Sequence, residues 1–122
     1  MRDQALTNRL IKVANEKFAG SGIHLDISEQ LEFMYEKESL RILLKPTTCR
    51  RGQDLNHRPK CTVLENANPQ IDCIACDGNF VDCQRKAELW KTKDIREIHC
   101  GKVQRVHHFG QYGVASILLT TE

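Results

Sequence analysis

An α+β fold, one N-terminal α-helix packed on an antiparallel β-sheet and fastened by disulfides, is predicted by three observations. Leu6, Leu10, Val13, Ala14 and Phe18 recur at helical spacing near the start of the chain. From Ile23 the apolar period drops to two, the signature of half-buried strands. All six cysteines then fall between Cys49 and Cys100. At 122 residues and 40% hydrophobic content, the chain has material for one core and not for two.

The helix is expected over about residues 4–19, with Arg9, Lys12, Asn15, Glu16 and Lys17 on its polar side and Gly20 and Gly22 as its stop. Ile23, Leu25 and Ile27, then Leu31, Phe33 and Tyr35, alternate with polar neighbours and predict a strand with a bulge near Ser28-Glu29-Gln30. Glu36-Lys37-Glu38-Ser39 breaks the pattern. Leu40, Ile42 and Leu44 form the returning strand of an antiparallel hairpin, which Pro46 is expected to end. Cys49 and Cys61 bound a polar, turn-rich loop. Thr62-Val63-Leu64 and residues 71–76 are short strand candidates, and Asp77-Gly78 marks a tight turn into Phe80-Val81-Asp82-Cys83. Segment 84–97 is charged and ambiguous, and Ile98–Cys100 with Val103 read as a last strand.

An even set of six cysteines in a small chain reads as three disulfides, hence an extracellular location, with zinc as the competing use of the thiols. Met1-Arg2-Asp3-Gln4 opens no secretory signal, so the chain is expected to begin at a mature N-terminus. Cys73 and Cys76 form a C-x-x-C, but Asp77-Gly78 follows at once where a redox motif would start a helix. Cys73, Cys76, Cys83 and Cys100, with His99 beside them, supply enough zinc ligands. They lack the second paired half of a structural site and leave Cys49 and Cys61 over.

Several function classes fall away. No apolar run approaches the roughly 18 residues of a spanning helix. Eighteen Lys plus Arg against sixteen Asp plus Glu, interspersed, give +2 and suggest no nucleic-acid partner. No G-x-S-x-G or H-E-x-x-H occurs, and Ser21 and Ser28 have no nucleophile context, so no enzyme, catalytic residue, metal or cofactor is expected. Arg50, Arg51, Arg58 and Lys60 make a basic surface suited to a glycosaminoglycan or an anionic membrane. His107 and His108 read as solvated residues. The segment after Cys100 mixes three glycines with Phe109 and Tyr112 before the apolar Ile117-Leu118-Leu119. It reads either as an edge strand with a frayed end or as a peptide whose aromatics anchor in a partner's pocket.

Helix, hairpin, Pro46-Thr47-Thr48-Cys49-Arg50-Arg51, Pro59-Lys60-Cys61-Thr62-Val63 and Asp72-Cys73-Ile74-Ala75-Cys76 together resemble the cystatin-like group of the cathelicidin prodomains and the chemerins. The chemerins are the nearer, through the six-cysteine frame, Cys100-Gly101-Lys102-Val103-Gln104-Arg105 and Phe109-Gly110-Gln111-Tyr112. The resemblance spans nearly the whole chain, loosely before Cys49. It implies a cystatin-like domain over 1–103 and a C-terminal peptide over 104–122. It also implies a secreted, monomeric precursor of a chemoattractant and adipokine that activates a chemokine-like G-protein-coupled receptor once a serine protease trims its end. The activating peptide would be His108, Phe109, Gly110, Gln111, Tyr112, Gly113, Val114, Ala115 and Ser116, the cut would fall between Ser116 and Ile117, and 117–122 would be the removable end. The family's pairing would be Cys49–Cys61, Cys73–Cys83 and Cys76–Cys100, each bridge contributing about 3 kcal/mol. Asp77-Gly78, midway between Cys73 and Cys83, suits the second of these.

Three features depart from the family: the Cys73-to-Cys83 loop is short, Gly113 and Val114 stand where the family is usually more aromatic, and nothing after Arg105 is Lys or Arg, which points to an elastase-like protease. A cathelicidin-like antimicrobial or host-defence protein and a cystatin-type protease inhibitor are the alternatives. The second lacks its Gln-x-Val-x-Gly wedge, because Glu36-Lys37-Glu38-Ser39 stands in the first hairpin.

Overall fold

The computed structural model describes residues 4–31 and 39–101. Helix α1 (Gln4–Lys17) leads through a 3-10 turn (Ala19–Ser21) into strands β1 (Ile23–Leu31), β2 (Leu40–Arg50), β3 (Ile71–Cys76) and β4 (Phe80–Arg85). A 3-10 stretch (Lys86–Thr92) and a second helix, α2 (Lys93–Cys100), follow. The strands form one antiparallel sheet in sequence order.

α1 ends at Lys17, two residues short of the expected 19. The 3-10 turn that follows is closed by Gly22, which takes φ +73°, a left-handed conformation that costs glycine nothing, and returns its N–H to Ala19 O at 3.1 Å. The helix buries Leu10, Ile11 and Ala14 against Leu25, Ile42, Leu44 and Ile71. That main core includes the Cys73–Cys83 bridge, whose side chains point to the α1 face of the sheet. Asn15, expected on the polar side, is instead fully buried. It earns that position by hydrogen bonding: its amide donates to Leu25 O and Ile11 O at 3.0 Å, and its carbonyl accepts the Leu25 N–H at 2.8 Å. Asn15 therefore holds both backbone polar groups of a residue whose strand partner, Pro46, has no N–H.

The expected bulge is present as a register shift between Ile27 and Glu29, and a second shift lies between Ile23 and Leu25. Phe33 and Tyr35 lie outside the described residues. Pro46 does not end β2, which runs on to Arg50. β3 pairs with β2 only over Leu40–Leu44, so the β2–β3 ladder does not need the missing donor of Pro46, Asn15 replaces it on the β1 side, and the Pro46 carbonyl accepts the Leu64 N–H at 2.9 Å. Thr62-Val63-Leu64 is reduced to a single bridge between Thr47 and Val63.

The expected last strand at 98–100 is instead the end of α2, and the sheet carries a helix on each face rather than one. Arg96 and Cys100, four apart, turn inward; Ile95 and Ile98 stay exposed. Cys100, Ile74 and Cys76, with Phe80 against them, make a second, smaller core between β3 and α2. Covered on both faces, β3 is buried at every residue. Gly101, φ +76°, closes α2 with its N–H on Glu97 O. No helix among the described residues is long and apolar enough to cross a membrane.

Candidate functional site

Two regions bear on function: the basic loop stapled by Cys49–Cys61, and the α2 terminus from which residues 102–122 continue.

The Cys49–Cys61 bridge holds its Cα atoms 5.5 Å apart and so brings Arg50 and Lys60 to one end of the loop, both exposed. Arg58 joins them, donating from Nη1 to Arg50 O at 2.8 Å. Arg51 turns away, its Nη1 donating to Asn15 O at 3.1 Å and its backbone N–H to Gly22 O at 2.7 Å. Three of the four predicted basic residues thus share a patch, and the fourth ties the loop to the end of α1.

What pins the loop is a buried carboxylate that sequence reasoning passed over. Asp26 of β1 accepts from His57 Nδ1 and the Arg58 amide, both at 2.7 Å, from the Ile27 amide, and from the fully buried His24 Nε2 at 3.1 Å. Burial alone would raise its pKa. The hydrogen bonds from His24, Arg58, His57 and Ile27 outweigh it and hold the carboxyl below its ordinary value, charged and acceptor-only. The Nδ1 of His24 is buried with no hydrogen-bond partner among the described residues. The loop is further held by His57 N–H on Asn8 Oδ1 and by Asn15 Nδ2 on Leu55 O.

The α2 terminus is fixed by charge as well as by covalent chemistry. Arg96 donates to Asp72 Oδ1 at 2.8 Å and to Asp82 Oδ2 at 2.6 Å, bridging β3 and β4. Arg41 of β2 meets Asp72 in a two-pronged pair, with Nη2 to Oδ2 at 2.8 Å. Burial pushes the Asp72 pKa up, but the flanking Arg41 and Arg96 charges push harder and bring it down to about 2. The same exchange holds the Arg96 pKa above its ordinary value.

The thiols are consumed as Cys49–Cys61, Cys73–Cys83 and Cys76–Cys100, the pairs that the resemblance implies. Cys73 and Cys76, three apart on a strand, point to opposite faces, so the C-x-x-C cannot close on itself and the four-cysteine zinc set is split between two bridges. His99 stacks on Phe80 with ring centroids 4.4 Å apart and turns Nδ1 to Asp77 at 3.3 Å. No group of three or more His, Cys, Asp or Glu able to hold a metal occurs among the described residues. His107, the receptor peptide from His108 to Ser116, the Ser116–Ile117 cut and the 103/104 boundary all lie outside the described residues.

Asp26 was hidden because it stands in an alternating run, where a carboxylate reads as a solvent-facing residue, and Asp72 because it is a lone carboxylate near the start of a short apolar run whose spacing names no partner. One clue to the second buried face existed: Asp72 and Cys76 share the parity of β3, and a bridged cysteine on that face needs something packed against it. Compared with protein-family models, with curated proteins and with solved structures, the chain finds no match in any of the three.

Proposed function

We propose that the chain is a secreted precursor of a chemoattractant, activating a chemokine-like G-protein-coupled receptor after an elastase-like serine protease removes its C-terminal end. The observation that carries this reading is the double fixation of the residue from which the C-terminal segment departs. Cys100 is bridged to Cys76, and Arg96 in the turn before it is paired with two carboxylates, the buried Asp72 and the half-buried Asp82. A ligand that acts through its chain end benefits from a domain that presents the root of that end in one place. Three disulfides fit an oxidising, extracellular setting. Phe109 and Tyr112 are the anchors the receptor pocket would take, and 117–122 is the extension that obstructs their entry.

The test is receptor activation in cells expressing chemokine-like receptors, comparing the whole chain with one ending at Ser116. The shortened chain is expected to signal at concentrations at least about tenfold lower. Equal potency of the two forms removes the precursor reading. The patch of Arg50, Arg58 and Lys60 supports a second role, retention on sulfated glycosaminoglycans or anionic membranes. It is also the feature that a cathelicidin-like host-defence reading draws on.

A further inference from the structure

A cationic furrow of about 510 Å³ lies where the end of α1 meets the end of β4 and the 3-10 stretch. Lys17 and Phe18 come from α1 and the residue after it, Arg85 from β4, Glu88 and Lys91 from the 3-10 stretch, and Pro69 from the loop before β3. A second hollow of about 520 Å³ shares Pro69 and Arg85 with it.

Its cations are held rather than splayed. The Phe18 ring receives Lys17 Nζ at 5.3 Å and Arg85 Cζ at 5.1 Å from its centroid, and Lys17 Nζ also donates to Cys83 O at 2.7 Å. Glu88 is the one carboxylate among the furrow's lining residues. It is shared, with Lys91 at 3.4 Å and Arg85 at 3.9 Å, both at partly exposed positions where the pairing is weak. An incoming carboxylate would exchange for Glu88 on groups already placed to receive it, which lowers the ordering cost of binding.

We propose that this furrow binds an acidic peptide segment of a partner protein, with carboxylates on Lys17, Arg85 and Lys91 and apolar contact to Phe18 and Pro69. Two observations favour a peptide over a sulfated polysaccharide. The floor is partly apolar, and Glu88 inside the furrow repels a chain that carries a strong anion on every unit, whereas a peptide can set an uncharged residue opposite it. Nothing in this proposal depends on residues 102–122, so it stands or falls separately from the receptor reading.

The chain's single tryptophan supplies the readout. Trp90 is 71% exposed with Lys91 Nζ 5.8 Å from its ring centroid, so a ligand that engages Lys91 alters the field at the indole. Full-length protein is titrated with a synthetic glutamate-rich peptide, following Trp90 emission at low and physiological salt. Saturable binding that weakens with salt is expected. The double reversal Arg85→Glu with Lys91→Glu is expected to weaken it at least about tenfold, and Lys12→Glu on the exposed side of α1 is expected to leave it in place. Glu88→Gln is expected to tighten binding by removing the competing carboxylate, an effect opposite in sign to that of a merely structural loss. Absence of saturable binding, weakening by Glu88→Gln, equal losses from Lys12→Glu and the furrow variants, or a heparin fragment displacing the peptide from the furrow would each overturn the proposal.

Discussion

Asp72 shares its charge with two arginines instead of water. Its carboxylate sits between Arg41 and Arg96, all three buried, and its pKa falls from the ordinary 3.8 to about 2. A depressed acid contributes stability that is fully present above its unfolded pKa and is lost as the pH falls through the folded one. The window therefore runs from about pH 5 down to below about 2, and the shift is worth about 2 kcal/mol. Asp72→Asn is expected to cost about 3–5 kcal/mol at neutral pH, because the buried Arg41 guanidinium loses its carboxylate and Arg96 loses one of its two. The variant should also show a shallower fall in stability across that acid window, measured by urea unfolding followed by circular dichroism. An unchanged acid profile in the variant would contradict this account. Residues of this kind were the least legible in the sequence. Asp26, Asp72 and Asn15 are polar letters at positions where polarity ordinarily means solvent, and what buries each is a partner distant along the chain: His57 and Arg58, Arg96, and Leu25. Local spacing carries no record of such partners.

α2 teaches the same lesson for elements. α1 announced itself because its inward residues are apolar, so the 3.6-residue period is written in hydrophobicity. In α2 the inward residues are Arg96 and Cys100, while Ile95 and Ile98 are outside, so hydrophobic periodicity pointed the wrong way and a strand was expected. Weaker signals of a helix were present: Asp94 in the first turn, the Lys93–Glu97 pair four apart, and Gly101 just past the end. The hairpin β1–β2, its bulge and the β3–β4 turn were legible, Asp77 and Gly78 both taking positive φ as a tight reversal requires. Since α2 buries little apolar surface, its docking should depend on the Cys76–Cys100 bridge and Arg96. Replacing both cysteines by alanine is expected to cost about 3 kcal/mol through the freed 24-residue separation. Amide exchange followed by mass spectrometry should then show α2 losing protection while β1 and β2 keep theirs. A uniform loss across the chain would mean that α2 is no separate unit but part of the main cooperative core.

For the whole molecule, on the precursor reading proposed above, the order of features along the chain decides which protease would switch it on. The three bridges fasten the stretch from Cys49 to Cys100, and the receptor-anchoring residues proposed here follow the last of them. Arg105 is the last basic residue in the sequence and lies before Phe109 and Tyr112, whereas the stretch Val114-Ala115-Ser116-Ile117 lies after them and offers only small or aliphatic side chains. A trypsin-like enzyme cutting at Arg105 would sever the anchors from the domain; an elastase-like enzyme cutting near Ser116 would leave them attached and shorten the end. The two treatments are therefore expected to act in opposite directions on the same protein. Limited digestion with each, mass spectrometry to locate the cuts, and receptor assay of the products would measure this, the elastase-treated form gaining activity and the trypsin-treated form falling to background. Non-reducing mass spectrometry keeps fragments joined by the three bridges between Cys49 and Cys100 together, so cuts beyond Cys100 are read apart from cuts within the bridged stretch. If the form cut at Arg105 signals as well as the form cut at Ser116, the activity resides in the folded body rather than the chain end. The exposed surfaces around the Cys49–Cys61 bridge and the α1–β4 furrow would then be where to look for it.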